Sequence, residues 1–194
     1  MSKIALTPNA SGTGTLTIAA PNTSTDRTLT LPDSTGTVDT LQRAGNVLQV
    51  LSASATGSTA TTTSSSSSIN SNSYASTGLS VSITPVYSSS KVFLTSNFGW
   101  SCNTADFGYY AFGVNGTADT TTAITCFNQS STNATNSLYY SSISYLYSPG
   151  TTSTQTYTLQ FRCGAAPTQT MYFNQRGVGG ASGLCTITAM EIAA

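Results

Sequence analysis

At 194 residues the chain is long enough for one β-domain of ordinary size plus an extension. Charged residues make up 6% of it, against roughly a quarter in most soluble domains, and they cancel to a net charge of zero, with no histidine at all. This composition excludes a basic footprint for nucleic acid, Ser-His-Asp and Cys-His catalysis, and most zinc sites.

Residues 1–45 differ from the rest. They hold half of the charges (Lys3, Asp26, Arg27, Asp33, Asp39 and Arg43) and three of the six prolines. Short alternating pieces recur there: Leu16 and Ile18 in GTLTIAAP, then Leu29 and Leu31 in RTLTLP. Strands this short bury too little surface to fold alone, so the segment reads as an arm that pairs with a partner on docking. Its anchoring side chains are expected to be Leu16, Ile18, Leu29 and Leu31. The opening MSKIALTPNA lacks the long apolar core of a secretory signal, and no apolar run approaches the roughly 20 residues that span a bilayer. Synthesis in a cytoplasm is therefore expected, without membrane insertion.

From residue 46 onward the pattern is that of strands. Asn46–Ser52 (NVLQVLS) is a compact apolar run, and the Ser/Thr-rich stretch that follows, to Ser76, reads as an exposed strand and a loop. Thr77–Trp100 carries the clearest signal. Leu79, Val81 and Ile83 alternate with Ser80, Ser82 and Thr84; after Pro85 and a serine-rich break, Val92, Leu94, Phe98 and Trp100 share one parity. Two such runs across a short polar connection predict a β-hairpin. Asp106–Asn115 predicts an aromatic strand closed by the Asn115-Gly116 turn. Further strands are expected at Thr120–Asn128, Ser137–Ser148, Gln155–Cys163 and Thr168–Gln175, and a last one at Leu184–Ala193. With no helical period anywhere, the fold class is all-β: an antiparallel β-sandwich over 46–194 behind an extended N-terminal arm.

The last strand carries apolar side chains on both parities, Leu184, Met190 and Ile192 against Cys185 and Ile187. A strand covered on both faces is central, and here that favours burial against another subunit. Glu191 within it is expected to pair with Arg162 or Arg176, or to reach solvent at an edge, since buried carboxylates are usually paired. Cys102, Cys126, Cys163 and Cys185 all sit in strand-like runs without metal-ligand spacing and read as small buried thiols, with a single disulfide as the alternative.

Little in the chain suggests chemistry. Asp106 and Asp119 flank a strand and form the one carboxylate pair worth weighing for glycoside cleavage, against the simpler reading that aspartate favours turns. Gly177–Gly180 lacks the Lys-Ser or Lys-Thr of a phosphate loop. No metal or cofactor is expected. The aromatics Trp100, Tyr109, Tyr110, Tyr139, Tyr140, Tyr145 and Tyr147 offer stacking surface for sugar rings, with Tyr109, Tyr139 and Tyr147 as the candidate glycan contacts.

The pieces NVLQV, TGLSVSITPVYSSSKVFL, SYLYSPGTTSTQTYTLQF and the terminal TITAMEIAA resemble a module of virion proteins in tailed phages, marine cyanobacterial phages above all. The leader GTGTLTIAAPNTSTDRTLTLPDSTGTV is similar to a segment near the N-terminus of phage fibre proteins. The resemblance implies a jelly roll of the tumour-necrosis-factor type that associates as a three-fold trimer, with Leu184, Ile187, Met190 and Ile192 at its core. It also implies a non-enzymatic fibre, spike or capsid decoration on the virion surface; the aromatics add, as the alternative, a module that recognises a host surface glycan. Tyr147 stands where related sequences often carry aspartate, which leaves no role for that carboxylate here.

Overall fold

The computed structural model describes residues 10–15, 17, 19, 22–26, 28, 43–57, 59–61, 74–102, 107–119, 124–128, 137–163, 171–175 and 183–194. The chain divides into two compact units, Met1–Val38 and Asp39–Ala194. The second is all-β, with no helix among the described residues.

Its strands form two antiparallel sheets. The first contains β1 (Val47–Ala55), β2 (Thr59–Thr61), β4 (Lys91–Cys102), β8 (Tyr139–Tyr147), β10 (Met171–Phe173) and β11 (Cys185–Ile192). The second contains β3 (Ala75–Ile83), β5 (Phe107–Val114), β6 (Thr117–Ala118), β7 (Ile124–Asn128) and β9 (Gln155–Cys163). β11 and β10 pair with successive stretches of β4, and β2 follows β1 beside them, so the first sheet has four lanes in the order β1/β2, β11/β10, β4, β8. The second reads β3, β9, β5, then β6 and β7 together.

Alternation in the sequence becomes burial in the fold. Leu79, Val81 and Ile83 of β3, Val92, Leu94, Phe98 and Trp100 of β4, and Tyr157, Leu159 and Phe161 of β9 all face the space between the sheets, joined there by Met171, Phe173, Ile187 and Ala189. Aromatic rings interlock at the centre, Phe98 with Tyr110 at 4.3 Å and Tyr110 with Phe161 at 5.9 Å. Gly108 belongs to this packing: a Cβ there would collide with the Met171 thioether. At the end of β5 the Asn115-Gly116 turn forms as expected, with φ of 49° and 89°, and joins β5 to β6 through the Val114–Thr117 pair.

The expected hairpin between β3 and β4 does not form. The two strands lie in different sheets, and β3 packs across the core against β1 and β11. Their alternation specifies one buried face each, and an arch satisfies that as well as a hairpin does. What decides is the connection 84–90, where Pro85 supplies no N–H and the next two amides are taken by a side chain. Val86 and Tyr87 donate their N–H groups to the Glu191 carboxylate at 2.7 and 3.4 Å. Gln49 Nε2 donates to the same carboxylate at 2.6 Å and to the Thr84 carbonyl at 2.7 Å. Glu191 is thus fully buried yet held by amides rather than by an arginine. Arg162 lies in the other sheet, its guanidinium 4.2 Å from the centre of the Tyr109 ring and 5.5 Å from that of Tyr74. Arg176 lies outside the described residues.

A second clasp closes the opposite end. Asn174, buried and at φ 54°, donates its own N–H to Gly99 O and its side-chain amide to Gly57 O and Gly183 O, while accepting from Gly183 N at 2.9 Å. The side chain of this one residue joins Gly57 to Gly183 and its backbone N–H adds β4, so three lanes are tied together.

Burial alone would push the Glu191 carboxyl up, but the hydrogen bonds from Gln49, Val86 and Tyr87 outweigh that and hold it below the ordinary value. A depressed carboxyl stabilises the fold above its unfolded value and loses that contribution as pH falls through the native one. Glu191→Gln is therefore expected to cost about 2 kcal/mol at pH 7, and to remove part of the acid destabilisation that the native chain shows below about pH 4.5. Urea unfolding from pH 7 to pH 3 measures both effects.

Candidate functional site

The outward face of the first sheet is the most organised surface of the domain. Its residues are those between the buried positions: 91, 93, 95 and 97 of β4, 186, 188, 190 and 192 of β11, the even residues 50–54 of β1 and 140–146 of β8. Register aligns them into rows that cross all four lanes. Val50, Met190, Phe93 and Leu146 form an unbroken apolar row. The next row is Ser52, Thr188, Thr95 and Ser144, and the one after it Ser54, Thr186, Asn97 and Ser142. Beyond these, Tyr140 stands opposite Gly99.

The apolar row is open to solvent at its flanks, where Val50 is 53% and Leu146 48% exposed, and half-buried at Met190 and Phe93 in the central lanes. Ile192 continues it toward Val47, which is 55% exposed. Lys91, bonded to Ser148 Oγ at 2.8 Å, is the only charged strand residue on this face. The hydroxyl rows carry short side chains that bond sideways where they meet, as Ser52 does to Thr188 at 3.0 Å. A face with one charge among its described strand residues and a continuous apolar row has the chemistry of a contact surface.

The residues singled out from the sequence fall in three places. Met190 and Ile192 lie on this outward face, but Ile187 is completely buried within the chain's own core and is removed from any subunit contact. Leu184 is 62% exposed at the Tyr140 end, away from the apolar row. The anchoring candidates Leu16, Ile18, Leu29 and Leu31, and also Asp106, lie outside the described residues. Cys185 is a buried free thiol, pushed up by burial against the opposing effect of the Gly99 N–H that it accepts; the side chains of the other three cysteines lie outside the description.

The glycan candidates do not converge. Tyr109 packs on Arg162 in the second sheet. Tyr139 rests against Trp100 at 5.2 Å, and Tyr147 closes the far end of the same strand, some 26 Å along β8. Tyr147 is part of an aromatic group with Tyr145 at 4.7 Å, Tyr157 at 5.4 Å and Phe112 at 6.4 Å, and donates its hydroxyl to the Asp119 carboxylate at 3.0 Å. Burial, then the bond to Asp119 and its charge, push the Tyr147 hydroxyl well above the ordinary phenol range, while burial takes Tyr157 up to about 12. Asp119 thus has a structural partner that bridges β8 of one sheet to the β5–β6 hairpin of the other. Among the described residues no three His, Cys, Asp or Glu side chains cluster in a way that would hold a metal ion.

Sequence reasoning missed Phe93, and named Tyr140 only as one of seven aromatics that offer stacking surface. Phe93 was legible in principle: it is an aromatic set in the polar parity of an otherwise alternating strand. No protein-family model matches the chain, and a search of curated proteins finds no match.

The Tyr147–Asp119 bond is expected to couple the sheets by about 1 kcal/mol. A double-mutant cycle of Tyr147→Phe and Asp119→Asn, read by urea unfolding, measures that coupling; additive single effects would show that the bond contributes nothing.

Proposed function

We propose that the chain is a non-enzymatic structural protein of a tailed-phage particle, a short trimeric fibre, spike or capsid decoration. In this reading residues 1–45 anchor it through Leu16, Ile18, Leu29 and Leu31. Residues 46–194 form the exposed domain, and copies of it join through the outward face of the first sheet. The observation that carries the reading is the row Val50, Met190, Phe93 and Leu146, which lines up four apolar side chains across four lanes on a face with one charge.

Three further points support it. The strand order, with the first lane beside the last and the third beside both the last and β8, is the order expected of an eight-lane jelly roll and supports that reading. The edge lanes β1 and β8 carry no charge or proline, the usual means of keeping sheet edges apart. The net charge of zero leaves little repulsion between copies. Four lanes about 4.8 Å apart give roughly 500 Å² over eight residues of strand and about half of that at the apolar end, well under the ~800 Å² that each partner of a stable pair buries. The adjoining edges of β1 and β8 supply the remainder in a closed ring, which uses two surfaces of each copy.

Sedimentation of the full-length protein is expected to give three times the 19.9 kDa chain mass, and Phe93→Asp, which places a charge in the row without touching the core, is expected to give single chains. A wild-type protein that stays a single chain at tens of micromolar would defeat the assembly reading. Removal of residues 1–45 is expected to leave self-association intact and abolish co-sedimentation with particles; unchanged incorporation would defeat the anchoring role.

A further inference from the structure

Tyr140 is the most exposed aromatic residue described, at 61%, and it does not stand out from the sheet. Its Cε1, Cζ and hydroxyl lie over two glycines on neighbouring lanes. A Cβ on Gly99, its register partner in β4, would come within 3.4 Å of Cε1. A Cβ on Gly183, just before β11, would strike the hydroxyl. A side chain that starts on β8 and ends over Gly183 must cross β4, so the ring lies along the sheet. The two glycines are what let it do so, and one face of the ring is left to solvent. Leu184, 62% exposed, adjoins it on the far side of Gly99. The next row toward the apolar end brings Asn97 and Ser142, both exposed and in register with each other.

We propose that this end of the face binds a neutral hexose unit of a glycan, with the sugar stacked on the Tyr140 ring. The apolar C–H side of a pyranose fits a flat aromatic face, and its ring hydroxyls are met by groups that donate and accept without charge. Asn97 offers two N–H donors and a carbonyl, and Ser142 a hydroxyl of either sense. Among the described strand residues of the face the one charge, Lys91, is six residues from Asn97 along β4, roughly 20 Å away. The site also lies about 20 Å along β8 from Leu146, so binding and self-association use opposite ends of one face. The proposal goes beyond the structural role above and does not depend on it.

The test uses the full-length protein with neutral malto-, cello- and galacto-oligosaccharides, and oligogalacturonate as the charged control, followed by saturation-transfer NMR and titration. At least one neutral oligomer is expected to bind saturably, with Tyr140→Trp retaining the affinity and Tyr140→Ala weakening it about tenfold. Gly183→Ala is expected to weaken it as well although the tyrosine is still present, because the added methyl lifts the ring off the sheet. That variant also guards against misfolding of the first, since the clash falls on the free end of a side chain. No binding by any neutral oligomer, binding of the charged oligomer alone, or full affinity in both Tyr140→Ala and Gly183→Ala would overturn the proposal.

Discussion

The terminal strand must serve two surfaces at once, and the rest of the domain depends on how it does so. Every second residue of β11 faces the interior: Cys185, Ile187, Ala189 and Glu191 are all fully buried. The residues between them face out and are half-buried by the lanes on either side. Pairing with β1 on one edge and β4 on the other makes this strand the centre of its sheet. Its one charge is spent inside, where Glu191 takes the amides of the 84–90 connection and fixes the crossing from β3 to β4. A carboxylate at that point replaces a ladder that Pro85 interrupts. The outward parity is left free to carry Met190 and Ile192.

Much of this was legible in the alternation. Strict period-2 runs at Leu79–Ile83 and Tyr157–Phe161 appear as strands with the expected residues inward, and Asn115-Gly116 makes the turn its φ tolerance favours. The partner of each strand was less legible, because alternation states only that a face is buried, not against what. That is why β3 and β4 read as a hairpin and form an arch. Glu191 was misread for a related reason. Burial of a carboxylate implies compensation, but backbone amides compensate it as well as an arginine does, and they leave no mark in the sequence. Asn174 was invisible because its three partners are glycines far apart in the chain.

The same limit applies to the surface. Met190 and Ile192 were recognisable as apolar residues on the second parity of a covered strand. Their alignment with Phe93, Val50 and Leu146 follows only from register among lanes that are distant in sequence. Tyr140 looked like one tyrosine of many until Gly99 and Gly183 were placed beneath it. In a chain this poor in charge, solubility rests on hydroxyls, and the two Ser/Thr rows keep the middle of the face wet between an apolar end and an aromatic one.

The most direct test of the assembly surface is the rate at which dilute peroxide oxidises Met190, measured against Met171 in the same chain. Met171 is completely buried in the core and serves as the internal standard, whereas Met190 lies in the apolar row. If copies meet across this face, Met190 oxidation slows as protein concentration rises while Met171 stays unreactive throughout. A Met190 rate that is the same in dilute and concentrated solution would contradict the account and leave the apolar row without a partner of its own kind.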